Sequence, residues 1–271
     1  MLDMIKSIVE NICKLLGGDL KNRKVRKIKS KLNMTYEGSQ ELVDTEKGLI
    51  NYTTGVVDKL FTKLELHPRV VIERARFLDF GAGIGFLAEI FRDRYRISPD
   101  CVELDPELAL TIRNKGFNSF QFLSESTQPY SAIYTSNVLE HIEDDEEILH
   151  ELYDSLIPGG LLGVYVPAHM ILWTGMDESV GHFRRYSKKE IKSKMLLAGF
   201  NIESSQYDES IGFLALLLLR LIGYKRIGNL GSAKSLIFYD KFVYPVSRLL
   251  DLLGFRIIAG KNLLVIGRRG Y

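Results

Sequence analysis

The residues best placed to do chemistry fall in four short stretches. The first, RFLDFGAGIGFLAEIF, runs from Arg76 to Phe91, with Asp79 ahead of glycines at 81, 83 and 85. Glycine at alternate positions lets a backbone turn sharply and lets a ligand lie where a Cβ would collide. With an apolar run before it and an amphipathic run after it, the stretch reads as strand, nucleotide-binding turn and helix. The dinucleotide pattern Gly-x-Gly-x-x-Gly needs a small residue where Phe86 stands, and no Gly-Lys-Ser/Thr phosphate loop is present. An acid two residues before the first glycine suits a ligand whose near end is an ammonium group. The second stretch, CVELDPELA, puts Glu103 twenty residues after Gly83. A carboxylate there can accept from both hydroxyls of a ribose. Asp105, just before Pro106, reads better as the cap of the next helix.

The third stretch is YSAIYTSNVLEHIEDDEEILHELYDSLIPGGLLGVYVPA, from Tyr130 to Ala168. It reads as strand, short loop, acidic helix, Pro158-Gly159-Gly160 turn and strand. His141 follows the first of these strands, as a base facing the ligand or as a brace for the loop. The fourth, PAHMILWTGMDESVGHFRRYSKKEI, collects His169, Trp173, Asp177, His182, Arg184, Arg185 and Tyr186 after the next strand. A polar and aromatic loop at a strand's carboxyl end is where an acceptor would be held, with His182 as the candidate base. The bland reading is an ion-paired lid in which Arg184, Arg185 and Tyr186 tie to Asp177 and Glu178.

These stretches need a scaffold, and the chain alternates strand and helix regularly. Strands are expected near 75–80, 100–104, 119–123, 132–136, 161–167 and 200–207. Helices are expected at 86–95, from Pro106, at 144–156 and at 187–198. Such alternation implies a parallel sheet with helices on both faces, and ligands at the carboxyl ends of its strands near the topological switch point.

The Asp-x-Gly-x-Gly-x-Gly turn resembles that of the class I S-adenosylmethionine-dependent methyltransferases. The order strand, Asn137-Val138-Leu139-Glu140-His141, acidic helix, Pro-Gly-Gly, strand strengthens the resemblance, which spans about residues 50 to 208. The Gly-His-x-Arg-Arg-Tyr stretch at 181–186 is similar to those of bacterial type-11 and type-12 members. The resemblance implies a Rossmann-like α/β fold with a mostly parallel seven-stranded sheet and S-adenosylmethionine as cofactor. It places Asp79, Gly81, Ala82 and Gly83 at the methionine end and Glu103, with Leu104, at the ribose. Ser136, Asn137 and Val138 fall beside the methionine and adenine. The chain departs from the pattern twice. The acid that often ends strand three is not obvious, leaving Ser124 or Glu125, and the usual Phe-Asp opening of strand four is Tyr130-Ser131. His182, His141 and Tyr186 form the candidate catalytic set.

The chain has 271 residues and a formal net charge of +2, enough for one α/β domain with appendages and no global field favouring nucleic acid. Its two cysteines, Cys13 and Cys101, match no metal or redox spacing, no local cluster suggests a metal, and a reducing cytoplasm is the expected compartment. Met1 to Leu16 is amphipathic without a signal-peptide pattern, and Lys21 to Lys31 carries seven basic residues. Helix docking and a solvated segment explain both, and so does peripheral contact with a membrane. Tyr36 or Tyr52, in the helical lead-in, is a candidate ligand contact or plain packing. After Glu209 comes an apolar run, Ile211 to Tyr224, too short to span a bilayer. A second apolar helix, about Leu236 to Leu253, is interrupted by Pro245, and GKNLLVIGRR supplies a last strand beside strand six.

The expected organisation is a helical lead-in over 1–70, a cofactor-binding core over 71–208, an apolar helical insert over 209–259 and a final core strand over 260–271. The expected activity is methylation, O-methylation included, of a small-molecule, glycan or lipid-linked acceptor, with no nucleic-acid partner and the oligomeric state open. The competing readings are a dinucleotide oxidoreductase, opposed by Phe86 and Pro158 to Gly160, and a non-catalytic cofactor-binding scaffold at a membrane.

Overall fold

A computed structural model describes residues 48–64, 75–222 and 233–271. The segment Met1 to Leu16, Cys13, the basic run Lys21 to Lys31 and Tyr36 lie outside these residues. The described chain runs α1 (Ile50–Lys63), β1 (Phe77–Phe80), α2 (Phe86–Tyr95), β2 (Asp100–Val102), α3 (Pro106–Asn114), β3 (Ser119–Phe120), β4 (Tyr130–Ser136) and α4 (Asp145–Asp154). It continues through β5 (Leu156–Pro167), α5 (Gly175–Ser179), α6 (Lys188–Leu197), β6 (Asn201–Asp208), α7 (Ser210–Ile222), α8 (Ala233–Phe238), α9 (Tyr244–Leu252) and β7 (Asn262–Arg268).

The seven strands form one sheet in the order β3-β2-β1-β4-β5-β7-β6. All pairings are parallel except those of β7, which runs antiparallel to both neighbours. Alternate residues of β4 serve opposite faces of the sheet. Ile133 joins the core that includes Leu149, Tyr186, Ile191 and Phe200, and so does Tyr130, across the register shift that precedes Ala132. Ala132 and Tyr134 join the core beneath α1, with Val57, Leu60 and Phe91. The chain winds outward from β1 to β3 and then returns to β4 on the other side of β1. The crevice between the carboxyl ends of β1 and β4 is therefore the switch point.

Several boundaries differ from the expected ones. Strand three is only Ser119–Phe120. The helix after β4 stops at Asp154, before the Pro-Gly-Gly turn. Pro158 to Gly160 instead lie inside β5, whose pairing with β4 shifts register between Tyr130 and Ala132. Gly159 takes φ +79° there, and Gly159 N–H and Gly160 C=O bond to the Arg269 backbone, so the turn sits where β5 meets the end of β7. Pro245 does not break its helical run. The backbone widens into a π-turn over Tyr239–Val243 and Pro245 enters the first turn of α9, where its missing N–H costs no helical bond.

Candidate active site

The turn after β1 is held by backbone. Gly81 N–H and Ala82 N–H both donate to Val102 O, at 2.9 and 3.1 Å, which ties the turn to the end of β2. Gly81, Gly83 and Gly85 have φ of +77°, +57° and +78°, a region that non-glycine residues enter at a cost. At Gly81 space is closed as well, since a Cβ would lie 2.4 Å from Val138 Cγ2. Val138, from the loop after β4, thus packs on the turn. Ala82 is buried among Ala88, Cys101, Ile112 and Phe117, so its side chain faces the core and only its backbone is left for a ligand.

Asp79, next to last in β1, is 2% exposed, and its Oδ2 has no hydrogen-bond partner. Burial pushes its carboxyl up to about 8, against the opposing influence of Tyr134. A buried carboxylate with one oxygen free of hydrogen bonds, at a glycine turn, fits a cationic group. Glu103 accepts from Gly83 N–H at 2.8 Å and from Asp105 N–H at 3.0 Å, one bond to each oxygen. A carboxylate has about four acceptor positions, so capacity remains for a diol. Burial moves Glu103 upward, opposed by these backbone bonds. Asp105 accepts from Glu107 and Leu108 N–H and caps α3 behind Pro106, which occupies it elsewhere. Leu104 is 43% exposed beside Glu103, Ser124 is exposed in the turn after β3, and Glu125 accepts from Gln121 N–H. Ser136 and Asn137 close β4. Asn137 takes φ +54°, a conformation asparagine tolerates, and donates its N–H to Tyr165 O.

The loop after β4 then joins the loop after β5. His182 Nδ1 lies 2.9 Å from Asp177 Oδ1, and the same oxygen accepts from Arg185 Nε at 2.7 Å. Thr174 N–H donates to the other oxygen at 2.9 Å, closing a capping box on α5. Burial would raise the Asp177 carboxyl, but these bonds outweigh it and hold it down to about 2. Asp177 is therefore a fixed anion that orients the His182 ring through Nδ1 and turns Nε2 toward Glu140. That nitrogen stands 3.9 Å from Glu140 Oε1. Glu140 is fully buried, neither of its carboxylate oxygens has a hydrogen bond, and burial pushes it up to about 8. The His141 ring meets His182 edge-on at 4.6 Å. Burial, then the charge of His182, pull His141 down to about 4, while the Gly181 and Val180 backbone opposes. This favours the brace reading of His141, because a base that weak is a poor proton acceptor at neutral pH.

Tyr186 leaves the catalytic set. Its side chain is fully buried and its hydroxyl donates to Asp145 Oδ2 at 2.6 Å. Burial and that acid push the phenol well above its ordinary value. The lid ties also differ from the expected ones. Arg184 and Lys194 pair with Asp145, at 2.8 and 2.6 Å, and Glu178 accepts from Trp173 Nε1. Only Arg185 reaches Asp177.

A third polar cluster lies at the ends of β5, β7 and β6. Tyr165 hydroxyl donates to Asp208 Oδ2 at 2.7 Å, Lys59 pairs with Asp208, and Lys261 Nζ is 2.7 Å from Glu209 Oε2. Asn262 Nδ2 donates to the Tyr165 and Tyr52 hydroxyls, and Tyr52 packs edge-on against Tyr244, so Tyr52 belongs to this buried network. His169 and Glu209 both take positive φ at these strand ends, +63° and +59°. His169 stacks on Tyr207 and its Nε2 is buried without a partner.

Sequence reasoning missed Glu140, which stands at the head of the acidic run EHIEDDEE and reads there as solvent-facing. It also missed the convergence of Glu140, His141 and His182, whose ligating atoms lie within 4.8 Å of one another and are, by their chemistry, able to take a divalent ion. No local spacing signals that trio, because His182 arrives from another strand end.

A family model described as a methyltransferase domain matches residues 54–205, more than half of the chain. Curated relatives include ubiquinone biosynthesis O-methyltransferases of Xylella fastidiosa strains 9a5c and M23. Each is 33% identical over 110 residues, covering 36% of this chain. The chain spans 44% of the length of these relatives in that match. Among solved structures, a proposed sarcosine dimethylglycine methyltransferase from Galdieria sulphuraria superposes with a TM-score of 0.53 at 17% identity, covering 79% of this chain and 84% of that one. The cyclopropane synthase MmaA2 from Mycobacterium tuberculosis gives 0.51 at 14% identity, covering 79% and 82%. Likeness at that level shows the fold alone.

Proposed function

The chain belongs to the methyltransferase-domain family, and from that premise we propose that it transfers the methyl group of S-adenosylmethionine to a hydroxyl on a small apolar or lipid-linked acceptor. When bound, the cofactor supplies an electrophilic methyl on a sulfonium. Asp79 would hold the ammonium of its methionine end, the Gly81 to Gly83 backbone would let that end approach, and Glu103 would take the ribose hydroxyls. Leu104, Ser124, Ser136, Asn137 and Val138 line the rest of that half. In the other half His182 Nε2 would take the proton that an acceptor hydroxyl gives up on receiving the methyl group. Asp177 holds Nδ1–H and stabilises the imidazolium so formed. Positioning and exclusion of water supply the remainder of the catalysis.

The observation that carries the hydroxyl acceptor is the His182–Asp177 pair, a base oriented for proton removal, which an amine acceptor would not require. The names of the Xylella relatives, O-methyltransferases of ubiquinone biosynthesis, support an oxygen acceptor on an apolar molecule. Such an acceptor partitions into lipid, so a peripheral position at the cytoplasmic face of a membrane is part of the same proposal. No described helix is long and apolar enough to cross a membrane.

Calorimetric titration with S-adenosylmethionine, S-adenosylhomocysteine and NAD tests the cofactor, and binding of NAD alone would return the chain to the oxidoreductase reading. Mass spectrometry of products from matched phenol and amine acceptors tests the oxygen. Cofactor binding without turnover on apolar extracts would make the chain a binding scaffold.

A further inference from the structure

The helices between β6 and β7 present an apolar surface that no described part of the chain covers. Leu214 and Leu218 of α7, Phe238, Phe242, Val246, Leu249, Leu252 and Leu253 along α8 and α9, and Ile257 and Ile258 beyond them are all at least half exposed. A soluble monomer rarely leaves so much contiguous apolar area in water without a partner.

The charges on this surface say what the partner is. The described residues from 210 to 222 and from 233 to 258 hold five cations, Arg220, Lys234, Lys241, Arg248 and Arg256, and two acids, Asp240 and Asp251. Both acids are 4% exposed and turned inward. Asp240 accepts from the Asn51 and Tyr52 N–H groups at the start of α1, at 3.0 and 2.8 Å. Asp251 accepts from Glu209 and Ser210 N–H and from the Ser210 hydroxyl at the start of α7. Each acid thus caps a helix N-terminus from a distant part of the chain, where the unpaired N–H groups and the helix dipole favour an anion. With these acids spent on docking, the described residues of the two segments turn exposed apolar side chains and cations to solvent and no exposed carboxylate. Among the described residues, Arg248 is the one of those cations that comes within 4 Å of an acid, Asp58, at 3.8 Å.

We propose that this face, from α7 through α9 to Ile258, lies on an anionic lipid surface. Apolar side chains enter the headgroup boundary while the basic ones meet lipid phosphates, the combination that holds a peripheral helix in an interface. A second copy of the chain is a poorer occupant, since a two-fold contact would set the same cations against one another. The face runs into the acceptor loop. Arg220 donates to the Met170 and Ile171 carbonyls, both side chains are about half exposed, and Arg185 N–H meets Met170 Sδ. An apolar acceptor leaving the lipid would therefore arrive beside the loop that carries Asp177 and His182. The inference deepens the apolar-acceptor reading, and lipid binding is measured without turnover, so either can fail alone.

The test is co-sedimentation of the full chain with phosphatidylcholine vesicles, with and without phosphatidylglycerol, over a range of salt. The chain should sediment with the anionic vesicles and release as salt rises. The triple variant Phe242→Ser, Leu253→Ser, Ile257→Ser should lose about tenfold or more of that binding while keeping its affinity for S-adenosylhomocysteine. The double variant Lys241→Ser, Arg248→Ser should lose the salt-sensitive part only. Vesicle binding that both variants retain in full would place lipid attachment elsewhere in the chain and overturn the assignment. A chain that ignores anionic vesicles overturns it too. So does a dimer in sedimentation velocity that the triple variant dissolves.

Discussion

The two halves of the site are built from different materials. At the cofactor half the decisive contacts belong to the backbone: Gly81 and Ala82 N–H on Val102 O, Gly83 N–H on Glu103, and a Val138 methyl filling the space a Gly81 Cβ would need. At the acceptor half they belong to buried carboxylates, with Asp177 holding His182 and Arg185, Asp145 holding Tyr186, Arg184 and Lys194, and Glu140 holding no hydrogen bond at all. A backbone cradle admits one residue type at its tightest point. A carboxylate network can lose a member and keep its shape. Substitutions should therefore damage binding and folding in the first half, and rate in the second.

The sharpest division is expected at His182. His182→Ala should lower turnover on a hydroxyl acceptor about 10²- to 10⁴-fold while the calorimetric affinity for S-adenosylhomocysteine stays put. A rate loss that follows a loss of cofactor affinity would move His182 into the other half. Gly81→Val should abolish cofactor binding and cost about 3 kcal/mol of stability, from positive φ in a branched residue and the clash with Val138. In a denaturant-unfolding cycle, Val138→Ala should return part of that cost, the clash, and leave the strain; full recovery or none would break the packing argument.

Glu103→Ala should weaken cofactor binding by about 1.5 to 3 kcal/mol in a folded protein, and unchanged affinity would shift the ribose role to Asp105. Asp79 predicts a pH dependence. Its carboxyl, raised to about 8 by burial, is protonated at neutral pH and must ionise to pair with an ammonium. Cofactor affinity should climb by up to about tenfold per pH unit, or about 1.4 kcal/mol, as pH rises from 6 toward 8, and Asp79→Asn should flatten the curve. The same shift acts on folding in the opposite sense. The native state holds a proton that the unfolded state has released, so Asp79 draws stability down as pH rises through that window. The smallest effect is expected at Tyr186→Phe, about 1 kcal/mol of stability with the rate unchanged, since Asp145 keeps Arg184 and Lys194. A variant of full stability and lost activity would restore Tyr186 to the catalytic set.

The glycine turn and the acids around it were legible in the sequence because they lie within one strand–helix–strand unit. Glycine spacing, an acid two residues upstream and another twenty residues on are set by the geometry of that unit, and an N-cap ahead of a proline is local chemistry. The alternation of strands and helices likewise implied a largely parallel sheet with the last strand beside β6; that this strand runs antiparallel, inserted between β5 and β6, only the structure shows. The acceptor half was only partly legible. His182 and Asp177 pair within one loop, five residues apart, yet their approach to Glu140 depends on two strand ends meeting. Tyr186, read as a site residue from its polar loop, is a buried pin.

What the sequence by itself determined is the cradle: where glycine is required and which acid caps a helix. These follow from sterics and hydrogen bonding over short separations, which the chain cannot avoid. What only the tertiary structure decided is which charges leave water. Glu140 and Asp145 stand in one acidic run that reads as solvated, and Asp240 and Asp251 stand in an apolar helix as its ordinary polar face. Burial of all four is a property of the partners that close over them, Phe183 and His182, Tyr186 and Lys194, and the first turns of α1 and α7. The cost of desolvating a charge is met by donors tens to nearly two hundred residues away, or, for Glu140, by keeping the proton, and no local pattern encodes a donor at that distance.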